Sequence, residues 1–278
     1  MRIVSWNVEN LAHWLENDAT GLPVLHARLG SPEVLCLQEV RIRPQDQALV
    51  ARMHTALPGF SCHASLNHDP HNGRFRGGRA YGVATWLRAD LDATPLRFPW
   101  DTEGRVIVSG LPSLGVAIAN VYAVNGTGRP HWDAEHGGPY GNRHQFKQRF
   151  IERLGDEGRA LQAGGLDLVL IGDWNVSRTY LDTTPRLRTE EPHATARRRF
   201  NEEFVAGLGL TDAFRHLYPD ARAYTWFHPR SRHRLDAARV DFALVGESLL
   251  PRVVGAGIED DPAMRPGSDH APLWIELS

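Results

Sequence analysis

Several apolar runs in this 278-residue chain stop on residues able to do chemistry. RIVSWN ends on Asn7, LCLQE on Glu39, AIANVY on Tyr122 and LVLIGDWN on Asp173 and Asn175. ARVD carries Asp241, and PGSDH delivers Asp269 and His270 just before the final apolar run. Singly, each reads as a turn or strand-end residue, since Gly, Asp and Asn tolerate the backbone angles of turns. If the runs are neighbouring strands, however, several carboxylates, two amides, a phenol and an imidazole meet at one edge of the core. Their mutual repulsion then calls for a cation or for phosphate chemistry. Carboxylate and amide oxygens suit a hard ion such as Mg²⁺ or Mn²⁺, and no Cys/His cluster with zinc spacing is present. A histidine backed by an aspartate stays oriented and can hold a proton near neutral pH, which suits it to face a phosphate.

The elements that must position these residues are legible as short β-rich runs: RIVSWNV, EVLCLQEV, YGVATWL, RVIVSG, GVAIANVYAV, DLVLIGDWN, AYTWF, RVDFALV and APLWIEL. Helical spacing is expected over Gln45 to Leu57, His144 to Ala163 and Ala196 to Leu208. In the second, Phe146, Phe150, Ile151 and Leu154 form one apolar stripe. Strands and helices do not alternate strictly, so two packed sheets flanked by helices fit better than one doubly wound sheet. Segments 63 to 80 and 126 to 143 read as long surface loops, often functional at that length. No linker divides the chain and no short-period repeat is present, so residues 1–278 read as one domain.

Composition excludes some classes. With 42% hydrophobic and 23% charged residues, neither disorder nor a fibre fits. A net charge of -2 gives no bulk attraction to nucleic acid, so a polyanion would need a local patch. Cys36 sits in an apolar run and reads as a buried thiol, which suits a reducing cytoplasm. No run approaches membrane-spanning length, and the chain opens on a strand-like pattern, so a soluble cytoplasmic protein is expected.

From SWNVEN at residue 5 to SDHAPL ending at residue 273, the motifs resemble the endonuclease/exonuclease/phosphatase superfamily. Between them come LQE (37 to 39), GRAYGVA (78 to 84), TEGRVI (102 to 107), NVYAVNG (120 to 126), RHQFKQRF (143 to 150), GDWNV, YTWF (224 to 227) and RVDFALV (239 to 245). TEGRVI together with NVYAVNG resembles the exonuclease III-like AP endonucleases. The resemblance implies an α+β, four-layered αββα sandwich of the DNase I type, with the site where loops of both sheets converge. It implies Asn7, Glu39 and Asp269 as metal ligands, and Asp173 as the base that activates water. It implies further that Asn175 orients that water or the phosphate, that Tyr122 donates to a phosphate oxygen, and that His270 faces the phosphate with Asp241 behind it. Asp173, Asn175 and His270 could also hold a second ion. Glu9 stands where the family usually has Asp or Asn, and Ala238 where it commonly has a pocket-walling Trp.

The implied activity is divalent-metal-dependent hydrolysis of DNA at abasic sites or at 3′ ends. Another phosphodiester or phosphomonoester (RNA, undamaged DNA or a small phosphorylated molecule) and a binding protein without chemistry stay as alternatives. Duplex DNA would be gripped locally by Arg74, Arg76 and Arg79 with Tyr81, by Asn125 and Arg129, by Arg143 with Lys147, and by HPRSRHR (228 to 234). Trp226 is a candidate substrate contact, although its strand-like surroundings favour the core. Composition gives no sign of an obligate protein partner, and a monomer is expected.

Overall fold

A computed structural model describes residues 1–16, 21–72, 81–133, 135–228, 236–261, 263 and 267–278. The strands are, in chain order, β1 Arg2–Asn7, β2 Val34–Gln38, β3 Phe60–Leu66, β4 Gly82–Arg88, β5 Thr94–Leu96, β6 Val106–Leu111, β7 Val116–Tyr122, β8 Pro130–Asp133 and β9 Gly138–Asn142. They continue as β10 Asp167–Asp173, β11 Thr183–Thr184, β12 Thr211–Asp212, β13 Trp226–Phe227, β14 Ala237–Ala238, β15 Asp241–Val245, β16 Val253–Ile258 and β17 Leu273–Leu277. The helices are α1 Ala12–Glu16, α2 Leu22–Arg28, α3 Gln47–Thr55, α4 Arg143–Ala163, α5 His193–Phe200 and α6 Ala213–Leu217.

Two six-stranded mixed sheets, ordered β16-β17-β1-β2-β4-β3 and β12-β15-β10-β7-β6-β5, pack face to face. Only β1 with β2 and β7 with β10 run parallel within them. Ile3, Val34, Cys36 and Leu87 of the first sheet meet Ile118, Val169, Ile171 and Val245 of the second. The first sheet's outer face packs Val4, Leu35 and Trp86 against Leu11, Trp14, Leu22, Leu25 and Met53 of the α1–α3 region. The second sheet's outer face takes Phe150, Ile151 and Leu154 of α4 with Phe200 and Phe204. The layers are therefore α, β, β, α, as the motifs imply. Gln38 and Asn120 lock the two sheets together. Gln38 Nε2 donates to Asn120 Oδ1 at 2.7 Å, and Asn120 Nδ2 donates across to the carbonyls of Leu37 and Ala84. A buried amide pair of this kind has its partners in only one registration of the sheets.

Some elements differ from expectation. Segment 63 to 80 is not all loop, because β3 runs to Leu66, and segment 126 to 143 holds the β8–β9 hairpin. Asn72 anchors that hairpin by accepting from Trp132 N at 3.0 Å and donating to Trp132 O at 2.7 Å, while His71 stacks on the indole. The third expected helix begins earlier, at His193, and passes into a π-helix over Asn201–Gly207. Among the described residues no helix is long and apolar enough to cross a membrane.

Candidate active site

The site begins as one rung of the second sheet. Tyr122 of β7, Asp173 of β10 and Asp241 of β15 are direct cross-strand partners, so their side chains share a face. Gly172 makes this possible. Its φ is 146°, and a Cβ there would lie 1.9 Å from the Val121 carbonyl oxygen, so the chain before Asp173 must lack a side chain. Asn175 then turns in the left-handed region at φ 52°, with its N–H donating to Asp173 Oδ1 at 2.9 Å. The turn and the chemistry of GDWNV are thus the same feature.

The first sheet supplies the opposing groups. Asn7 ends β1, and Glu39 follows β2 with φ 53°, another left-handed residue where the site demands it. Asn7 Nδ2 donates to both Glu39 Oε1 (3.1 Å) and Asp173 Oδ2 (3.0 Å), and its Oδ1 accepts from Glu9 N. Tyr122 Oη donates to Glu39 Oε1 at 2.7 Å. Just before β17, His270 Nδ1 lies 2.9 Å from Asp241 Oδ2, and its Nε2 faces Asp173 Oδ2 at 3.8 Å. Asp269 lines the same cleft and accepts from Trp226 Nε1 at 2.9 Å. The cleft has a volume of about 410 Å³.

Burial sets the electrostatics. It lifts Asp173 above the ordinary carboxylate range, Asp241 adds to the effect, and His270 opposes it. Burial alone would lower His270, but Asp241 and then Asp173 hold it well above the ordinary imidazole, so it carries a proton at neutral pH. Burial and the charge of Glu39 also raise Tyr122, which stays a phenol donor. Glu9 is raised by burial, with Asp269 and Glu39 adding to that and Arg41 opposing.

Three carboxylates, Glu9, Glu39 and Asp269, thus crowd one end of the cleft. A guanidinium already answers them there, with Arg41 2.5 Å from Glu39 and 3.6 Å from Glu9. All-oxygen donors, mutually repelling and open to the cleft, fit a hard divalent cation. Asp173, Asp241 and His270 also place ligand atoms within 4.8 Å of one another. With His270 Nδ1 engaged by Asp241, that group reads first as an oriented proton relay.

Two expected DNA grips are engaged by protein partners. Arg143 is buried in a bidentate pair with Glu103, because it opens α4 beneath the hairpin, and it offers no exposed cation. Lys147 is buried too. It lines the cleft, but its Nζ donates to the Asn175 carbonyl at 2.7 Å, and burial lowers it to about 8. It holds the turn. Asn125 is exposed at the cleft, and Arg129 is exposed on the hairpin approach. Trp226 is half-buried and walls the cleft. Arg74, Arg76, Arg79 and residues 229 to 234 lie outside the described residues.

Arg105 escaped the residue-by-residue reading although it sits inside TEGRVI. Fully buried, it lies under the rings of Tyr81 (4.3 Å) and Tyr122 (4.9 Å) and is held by Glu103 at 2.5 Å. Thr183, Leu187, Arg188, His193 and Arg197, also unforeseen, complete the far wall of the cleft.

Residues 4–270 match the Endonuclease/Exonuclease/phosphatase family. The chain belongs to that family. Recombination repair protein 1 of Drosophila melanogaster is 31% identical to this family member over 279 residues. That match covers 99% of the chain but 37% of the fly protein, so the chain spans little more than a third of its length. Exodeoxyribonuclease III of Haemophilus influenzae is 29% identical over 265 residues, covering 88% of the chain and 90% of that enzyme. Among solved structures, the 3′ phosphatase NExo from Neisseria bound to product DNA hairpin superposes with a TM-score of 0.74. It is 25% identical, and the match covers 100% of this chain and 99% of that one. The family fold and its exonuclease III-type relatives agree with the motifs that ended the apolar runs.

Proposed function

We propose that this chain is a divalent-metal-dependent DNA phosphodiesterase of DNA repair, exonuclease III-like, cutting duplex DNA at abasic sites or trimming 3′ ends. Nuclease-type hydrolysis is the activity that its relatives' names carry. The observation that supports it most is the Asp173 carboxylate, buried at the closed end of an open cleft and held between Asn7, the Asn175 turn and His270.

Asp173, raised toward neutrality, is a base matched to taking a proton from water. Asn175 and Asn7 hold that carboxylate in place, and Lys147 holds the Asn175 turn. The His270 imidazolium, oriented by Asp241, and the Tyr122 phenol are donors aimed where negative charge grows on the phosphate. Asn7, Glu39 and Asp269, with Glu9 beside them, would hold Mg²⁺ or Mn²⁺, which would neutralise the non-bridging phosphate oxygens. Both cysteines are free, which suits a reducing compartment such as the cytoplasm, and a monomer is sufficient for the site.

The test is cleavage of an end-labelled duplex bearing one abasic site, of an intact duplex and of a single strand, with and without Mg²⁺. Metal-dependent cutting of DNA is expected; no cutting of any DNA under either condition would sink the reading.

A further inference from the structure

Thr225, the residue just ahead of β13 in YTWF, is a polar side chain with no exposed surface. It stands between the two segments that carry the Asp241 and His270 pair. Towards β15, its Oγ1 accepts from the consecutive amides of Val240 at 3.0 Å and Asp241 at 3.1 Å. A hydroxyl has two lone pairs, so one oxygen answers both donors. Towards the turn at 268–271, its carbonyl accepts from Ala271 N at 2.6 Å, while its own N–H donates to Ala238 O at 3.0 Å. The rest of β13 continues the same seam, with Trp226 bridged to His270 and Phe227 N donating to Asp269 O at 2.9 Å. The hydroxyl meets a local need. β15 pairs with β10 on one flank, while on the other β12 reaches Leu244 and Val245. Among the described residues the Asp241 end of β15 therefore has no strand on that second flank, and Thr225 supplies the acceptor there. The Val240 peptide is held from its other side as well, because its carbonyl accepts from Trp174 N at 2.8 Å, one residue beyond Asp173. A strand end gripped from both sides fixes its first side chain. That side chain is Asp241, whose Oδ2 lies 2.9 Å from His270 Nδ1.

We propose that Thr225 is a positioning residue of the reaction. Its hydroxyl sets Asp241 against the 268–271 turn, and so fixes the direction in which the His270 ring presents Nε2 to the phosphate. Fully buried, Thr225 does not touch substrate itself. This rests on the phosphodiesterase reading above and on the role it gives His270. With the oxygen removed, two buried amides lose their acceptor, an arrangement the chain relieves by shifting the end of β15. Asp241 then moves with that end, and His270 with Asp241. A misplacement of about 1 Å at a group that must meet the transition state is worth up to about 10²-fold in rate.

Two comparisons isolate the oxygen: the natural chain against Thr225→Val, and Thr225→Ser against Thr225→Ala. In Mg²⁺, cleavage of an abasic duplex should show kcat lower by about tenfold or more in Thr225→Val and Thr225→Ala, with KM little changed and Thr225→Ser close to the natural chain. Thr225→Ser as slow as Thr225→Ala, or Thr225→Val as fast as the natural chain, overturns the proposal. The Nδ1 proton of His270 is followed by NMR in the same chains without DNA. It should leave its downfield, carboxylate-bound position only where the hydroxyl is gone. A lower melting temperature with kcat and that resonance unmoved marks a threonine that serves folding alone, and also overturns the proposal. Should Thr225→Val not fold, Thr225→Ser against Thr225→Ala decides. If the natural chain cuts no DNA, the phosphodiesterase reading fails, and the resonance by itself decides whether Thr225 aims the ring.

Discussion

Asp173 and His270 divide the labour at the centre of the site, and their environments explain how. Burial lifts Asp173 and the neighbouring Asp241 charge adds to it, against His270; His270 sits between two carboxylates, so they hold its proton. Asp173→Asn keeps the shape and removes the base. Its turnover number should fall by about 10²–10⁴, the usual weight of a positioned acid or base, with KM little changed. Single-turnover cleavage of an abasic duplex measures this, and an undiminished rate would remove Asp173 from the mechanism. Asp241→Asn acts through the His270 it orients and through the charge it sets beside Asp173, and should cost less. Residue types at strand ends were enough to nominate these groups, because repulsion among them has few solutions. What could not be read was which donors their neighbours choose. Arg143 and Lys147 look like phosphate grips in sequence, yet Glu103 and the Asn175 carbonyl claim them, and both partners lie far from them along the chain.

At the scale of elements, Glu103 joins the loop ahead of β6 to the first residue of α4, and through Arg105 to the Tyr122 ring. It is held at about 2, because the charges of Arg105 and Arg143 overcome burial. A carboxylate depressed by folding contributes stability that is present above its ordinary value of 4.5 and lost as pH falls toward 2. Glu103→Gln leaves two buried guanidinium groups short of a partner and should cost roughly 3–5 kcal/mol at pH 7. The gap to the natural chain should narrow below pH 4.5 in urea titrations; a gap independent of pH would contradict the ion-pair role. Strands with apolar runs were legible, but β16 was not. Its run VVGAGI, broken by two glycines, was not among the apolar runs, and Gly257 is required because a Cβ there would lie 2.6 Å from the Trp274 ring. The β8–β9 hairpin hid for a similar reason: its polar residues are satisfied by Asn72 and by stacking, not by an apolar pattern.

For the molecule as a whole, the αββα layering follows from the apolar runs because both faces of each sheet are covered, and the site lies where the two sheets' ends meet. Fold and acidic end are therefore coupled: folding brings Glu9, Glu39, Asp173 and Asp269 into one cleft and sets their repulsion against packing. A divalent cation that binds there binds only the folded chain, so it must raise the melting temperature. At about 100 times its Kd the gain is about 2.7 kcal/mol. For a chain of this length that corresponds to a rise of roughly 4–6 °C. Differential scanning calorimetry of the natural chain in EDTA and across a Mg²⁺ titration measures the rise without any substrate. Glu39→Ala removes a proposed ligand and also the acceptor of Tyr122, Asn7 and Arg41, so it should melt below the natural chain in EDTA and lose most of the Mg²⁺-dependent rise. A Glu39→Ala titration that superposes on that of the natural chain would take Glu39 out of the ligand set. Identical melting of the natural chain in EDTA and in saturating Mg²⁺ would remove the cation from the acidic end altogether.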